Sequence, residues 1–237
     1  MRWPTIERYR EWPGDISRRE EKEAVAARVA GELGDGQVVG AGSGSTAFLA
    51  LVAIARRIER DGLRVTAVPT SHEVALSCAA LGLPTTNLAE ARPDWGFDGA
   101  DEVHEQDGVV RLIKGRGGAL FREKLVMASQ ARTFILADRS KLVDRLGRRF
   151  PIPVETHPEA LHLVEEALAT LGASEVALRM AASKDGPLLT EGGNLILDAR
   201  FPEVPDRLER DLKAIPGVIE SGLFVGFPVE IVTPDRL

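Results

Sequence analysis

A chain of 237 residues, 44% hydrophobic and 28% charged, is long enough to bury a large core and leaves room for one domain or one and a half. The formal net charge of -6 is not gathered into any single-sign block, so neither nucleic acid nor an anionic membrane is implied as a partner, and any bound anion must be held by a local site. The single cysteine, Cys78 in "ALSCAAL", excludes an internal disulfide and fits a buried helix residue in a reducing compartment.

The first residues, "MRWPTIERYREWPGD", are charged throughout and lack the apolar stretch of a secretory leader, and no apolar run is long enough to span a bilayer. A cytoplasmic protein is expected, with residues 1–15 forming an extended arm. Ser17 and Glu20 have capping-box spacing, and Val25, Val29 and Leu33 predict a helix that ends at glycines 34 and 36. A short strand, "QVVG", empties into "AGSGST" and a helix over "TAFLALVAIARRIER", where Phe48, Leu51, Val52, Ala55 and Ile58 recur at helical spacing. The strand "LRVTAVPT", the helix "SHEVALSCAALG", the strand "DWGF" leading into "DGAD", a helix near "GALFREKLVMASQ" and the strand "RTFILAD" follow. Such alternation predicts a mostly parallel sheet covered on both faces.

After "DRSKLVDRLG" the order becomes strand, helix, strand, strand, helix, strand, from "FPIPVETHP" to "VIESGLFVG", which is the split βαβ pattern of a ferredoxin-like module. The last apolar strand, "PVEIVT", is placed to return to the first sheet. The expected fold is therefore α/β: a Rossmann-like domain over 1–147 and 224–237, and a small ferredoxin-like α+β lobe over 148–223.

In an open α/β sheet, ligands bind beyond the carboxyl ends of the strands. Three turns fall there. "GAGSGST" has glycines that admit a ligand to the backbone, and Ser45 and Thr46 open a helix whose free N–H groups favour an anion such as phosphate; a plain glycine turn with a helix cap reads equally well. It is neither a P-loop nor a complete dinucleotide fingerprint. "DGAD" puts Asp98 and Asp101 at a strand end, as site acids or as solvated turn acids. In "IKGRGGALFREK", Lys114 leads a glycine-rich loop whose amides make a cradle for a negative oxygen. Glu123 lies between Val126 and Met127 on the helical wheel and one turn after Leu120, suited to proton abstraction next to a carbonyl, unless it simply pairs with Arg122 or Lys124. The four histidines have no partner at metal-ligand spacing, so no metal is predicted, and no nucleophile elbow supports a Ser-His-Asp enzyme.

Taken in order, "GAGSGSTA", "VPTS", "DGADEV", "IKGRGGALFREK", "ADRSKLVDRLG", "GGNLILD" and "IPGVIESGLFVG" resemble ribose-5-phosphate isomerase, type A, from about residue 22 to 226. The resemblance implies cofactor-free interconversion of ribose 5-phosphate and ribulose 5-phosphate through a cis-enediolate, by a homodimer or homotetramer. It implies Glu123 as general base, Asp98 and Asp101 as the acids that hold sugar hydroxyls and assist ring opening, with Gly99 and Ala100 between them in contact with substrate. Lys114, Gly115 and Gly117 match the loop that steadies the oxyanion, and the phosphate falls on Ser43, Gly44, Ser45 and Thr46, with Lys141 and Lys22. Ser43 replaces the usual threonine, Arg116 interrupts the glycine run and is expected at the substrate, and "TEGGN" departs from the family's Thr-Asp-Asn-Gly-Asn. Other readings are a non-catalytic sugar-phosphate sensor or an isomerase of another phosphorylated sugar on the same fold, and an acyl-CoA transferase of related fold with a glutamate nucleophile, which the lysine-glycine cradle disfavours.

Overall fold

The computed structural model describes residues 4–236. By Cα proximity the chain forms two compact units: 1–99 with 122–140 and 228–237, and 100–121 with 141–227. Segment 100–121, which the sequence reading places in 1–147, clusters with 141–227.

The first unit is built on a five-stranded sheet in the order β12-β6-β3-β1-β2, parallel throughout. Its strands are β1 (Val38–Ala41), β2 (Thr66–Pro69), β3 (Trp95–Gly99), β6 (Thr133–Leu136) and β12 (Val229–Val232), so "PVEIVT" does return to this sheet. Their apolar runs are buried together with α1 (Arg19–Ala30), α2 (Ser45–Asp61) and α3 (His72–Leu81), through Val25, Val29, Leu51, Ile54, Phe97 and Phe134. Helix α4 (Leu120–Ser129) enters this unit at Arg122. From β1 the chain crosses through α2 to β2 on one side, while β3 pairs on the other, so the topological switch point lies between β1 and β3.

Three local expectations fail at the N-terminus. Ser17 does not cap α1: Arg18 stands at the N-cap in the left-handed region (φ 51°) with no side-chain cap bond, and Ser17 Oγ instead accepts from Lys22 Nζ at 3.4 Å. The helix ends at Ala30, before glycines 34 and 36, where the next amides, of Glu32 and Leu33, tighten onto the i−3 carbonyls of Val29 and Ala30; Leu33 is still buried in the core. The arm is not extended either. Residues Pro4–Arg10 wind into a 3₁₀ helix against α3, and Trp12 meets Phe48 with ring centroids 5.6 Å apart; the arm's first three residues lie outside the described ones.

The second unit holds β7 (Ile152–Thr156), α5 (Leu161–Thr170), β8 (Glu175–Leu178), β9 (Leu195–Arg200), α6 (Leu208–Lys213) and β10 (Val218–Ser221). The sheet order β10-β7-β9-β8, antiparallel throughout, is that of a ferredoxin-like module. A second, three-stranded sheet runs β11-β5-β4, from β4 (Glu102–Gln106), β5 (Val109–Ile113) and β11 (Leu223–Val225). The β4–β5 hairpin closes through Asp107 and Gly108, both with positive φ (54° and 74°), the conformation a two-residue Asp-Gly hairpin turn requires. The stretch "VIESGLFVG" is two strands, broken at Gly222, where a side chain would meet the Lys114 carbonyl oxygen at 2.2 Å.

Candidate active site

The turn after β1 runs Gly42, Ser43, Gly44 into α2, with Ser45 as the first helical residue. Gly42 is required here by a close approach, since a Cβ would lie 2.4 Å from the Asp98 carboxyl carbon and 2.5 Å from its Cα. Asp98, at the end of β3 and 3% exposed, accepts from the backbone amides of Ser43 (3.1 Å) and Gly99 (2.7 Å) through Oδ1. The two strand ends that flank the switch point are thereby tied together. Ser43 Oγ donates to Glu123 Oε1 at 2.5 Å, and Glu123 is 4% exposed on α4. One serine thus joins the anion turn and the two carboxylates expected there.

Lys22 of α1 is also buried, and its ammonium group donates to Ser45 Oγ at 3.2 Å. A cation stands beside the first residue of α2, where the helix dipole already favours an anion. Asp138, just past β6, was not singled out in the sequence. It accepts from the Ser140 amide at 2.8 Å and from the Ser140 hydroxyl, and lies 3.7 Å from Arg18. Burial raises its carboxyl, but the Ser140 hydrogen bonds and the charges of Arg18 and Lys22 outweigh that and hold it below the usual carboxylate range. The Asp-x-Ser spacing in "ADRSK" was the readable signal for this turn.

The second unit carries Ala100, Asp101, the Lys114–Gly117 loop and Lys141. Lys114 is 3% exposed; its backbone N–H donates to the Gly222 carbonyl at 2.9 Å, and its ammonium group sits 5.7 Å from the Phe224 ring centroid. The loop turns back on itself where the Gly118 N–H reaches the Gly115 carbonyl at 3.0 Å. Gly115 (φ 95°) sits where a Cβ would meet that of Leu120 at 2.7 Å. Asp101 Oδ2 accepts from the Arg116 N–H at 3.2 Å. The Arg116 guanidinium and the Lys141 ammonium group both lie on the Phe150 ring, 5.8 and 5.5 Å from its centroid. Phe150 carried no sequence signal, because its partners are 34 and 9 residues away along the chain.

Within the first unit, a buried carboxylate beside an amide-lined turn can take a proton from a carbon next to a carbonyl; within the second, a lysine with glycine amides can hold a negative oxygen. Among the described residues, no group of three or more His, Cys, Asp and Glu side chains is clustered as a metal site. The Cys78 thiol is fully buried and pushed up to about 12 by that burial, which leaves it inert as a nucleophile.

The family of ribose 5-phosphate isomerase A (phosphoriboisomerase A) matches this sequence over residues 66–235. The chain belongs to that family. A ribose-5-phosphate isomerase A of Gloeobacter violaceus is 46% identical over 218 residues, covering 91% of this chain and 92% of its own, and that of Methanothermobacter thermautotrophicus is 44% identical over 207 residues, covering 86% and 89%. Among solved structures, ribose 5-phosphate isomerase A of Methanocaldococcus jannaschii superposes with a TM-score of 0.86 at 39% identity, over 92% of this chain and 96% of that one. A D-ribose-5-phosphate isomerase in complex with phospho-erythronic acid gives 0.86 at 35% identity, over 93% and 97%. These phosphoriboisomerase A structures share the parallel sheet and the antiparallel lobe described above.

Proposed function

We propose that this protein interconverts D-ribose 5-phosphate and D-ribulose 5-phosphate by proton transfer, in the non-oxidative branch of the pentose phosphate pathway, as a cytoplasmic homodimer or homotetramer that needs no cofactor. Glu123 carries the proton between C1 and C2 of the opened sugar. Asp98 and Asp101 hold hydroxyls and assist ring opening, with Gly99 and Ala100 against the substrate. Lys114 and the amides at Gly115, Arg116 and Gly117 take the charge of the cis-enediolate, and Ser43 to Thr46, Lys22 and Lys141 hold the phosphate. The observation that carries this reading is the buried Glu123 carboxylate joined through Ser43 to the anion turn and to Asp98. A sensor of sugar phosphates has use for the turn but none for a buried base beside it. Phospho-erythronic acid, held by a relative 35% identical, is a phosphorylated four-carbon acid whose carboxylate resembles an enediolate, which supports a phosphosugar as substrate.

The deciding assay is ketopentose formation from ribose 5-phosphate in the presence of a chelator. Turnover is expected. Its absence, with ligand-induced stabilisation retained, favours the sensor, and turnover of a different phosphorylated aldose alone reassigns the sugar. Glu123→Gln is expected to keep ribose 5-phosphate binding by calorimetry while losing turnover by about 100-fold or more, the scale of a positioned base. Parent-like turnover removes Glu123 from the mechanism.

A further inference from the structure

Resting on that reading of the Lys114–Gly117 loop, we propose that Arg179 is a positioning residue for the isomerisation: it grips the loop's carbonyls from behind and so aims the amides of Arg116 and Gly117. Arg179 follows β8, and its side chain is 14% exposed. Nε donates to Asp198 Oδ2 at 2.8 Å and Nη2 to Asp198 Oδ1, a bidentate pair that fixes the plane of the guanidinium. Nη1 then donates to two consecutive loop carbonyls, Gly115 and Arg116, at 2.9 Å each.

In a trans peptide the carbonyl and the following N–H point in opposite directions, and no cis peptide occurs among the described residues. With the Gly115 carbonyl turned to Arg179, the Arg116 N–H must face away. It does, donating to Asp101 on the far side. The same geometry at the next peptide turns the Gly117 N–H away from Arg179, at an exposed residue where a Cβ would meet nothing within 4 Å. Successive N–H groups held on one side make a nest for negative oxygens; the Asp101 carboxylate sits on the first, and the Gly117 N–H is aimed to the same side. Glycines flank Arg116, and the loop's own Gly118 N–H holds only the Gly115 carbonyl, so Arg179 adds the hold on the Arg116 carbonyl from outside the loop. A lysine at 179 keeps the charge but lacks the planar fork that serves one carboxylate and two carbonyls at once.

The test is kinetic, on the full chain, with Arg179→Lys and Asp198→Asn, the latter keeping the guanidinium but weakening its anchor. Arg179→Lys is expected to lower kcat about 10- to 100-fold, short of or near the loss of a whole oxyanion donor. KM for ribose 5-phosphate stays within about 3-fold, because the phosphate and hydroxyl contacts are untouched. Affinity for phospho-erythronic acid drops by about the same factor as kcat/KM, since a mimic of the charged intermediate needs the same amides. Asp198→Asn shifts all three in the same direction by less. Thermal unfolding checks that each variant is folded, and should Arg179→Lys not fold, Asp198→Asn decides by the same criteria. Parent-like kcat in a folded variant overturns the proposal. So does a loss matched only by the folded fraction, or a rise in KM at constant kcat. A parent enzyme that makes no ketopentose overturns the proposed function instead, which separates the two failures.

Discussion

Lys141 and Gly42 put the phosphate and turn assignments to single-residue tests. A phosphate contact remote from C1 and C2 is made equally in ground and transition states, so Lys141→Ala is expected to raise KM for ribose 5-phosphate at least about 10-fold with little change in kcat. A fall in kcat alone removes Lys141 from phosphate binding. Gly42→Ala forces a methyl group to 2.4 Å from the Asp98 carboxyl. Since Asp98 is buried and cannot swing away freely, the variant should lose about 1–3 kcal/mol of stability in denaturant titrations and most of its activity. Full activity in Gly42→Ala means that Asp98 is not held where it acts.

At the scale of elements, the hairpin between the two aspartate-lysine landmarks is the chief surprise. Glu102 begins β4 fully buried and accepts from the backbone amides of Gly147 (2.7 Å), Arg149 (2.5 Å) and Phe150 (2.8 Å). It is the internal cap of the loop that presents Phe150, on whose ring Arg116 and Lys141 rest. Glu102→Ala removes the acceptor of three amides on residues that are half-buried or exposed, at a cost of about 1–3 kcal/mol in all. A lowering of the thermal midpoint is expected, with the KM for ribose 5-phosphate raised as Lys141 loses its support; an unchanged midpoint denies Glu102 this role. The turn of this hairpin was legible in "QDGV", an Asp-Gly pair between alternating residues. Its buried acid was not, because a glutamate in a charge-rich stretch reads as solvated until the loop from 45 residues later closes over it.

Across the whole molecule, acid stability follows from which carboxylates are held ionised by the fold. Arg64 and Arg60 hold Asp35 and Asp61 at about 2 through hydrogen-bonded ion pairs, but both lie at the surface, where such pairs stabilise little. Asp138 is buried. Because its folded pKa lies below its unfolded one, its contribution is complete above the ordinary aspartate value of about 3.9 and is lost as pH falls through the lower folded value. The unfolding free energy due to this residue should therefore be level from neutrality to about pH 4 and decline below it. Asp138→Asn flattens that decline in urea titrations at stepped pH, whereas an unaltered acid limb assigns the stability elsewhere.

The sequence alone determined the alternation that makes the parallel sheet, the split βαβ order of the lobe and the return of "PVEIVT", because each depends on periodicity within a few residues. It misplaced the boundaries of α1 and the form of the arm, where a tightened turn through Glu32 and Leu33 and packing against α3 overrode local spacing. Only the tertiary structure decided which side chains work together. Ser43 reaches Glu123 across 80 residues, and Arg179 reaches the Gly115 carbonyl across 64. Such pairings arise when strand register and chain crossing bring distant positions to one place, and a linear pattern carries no record of that.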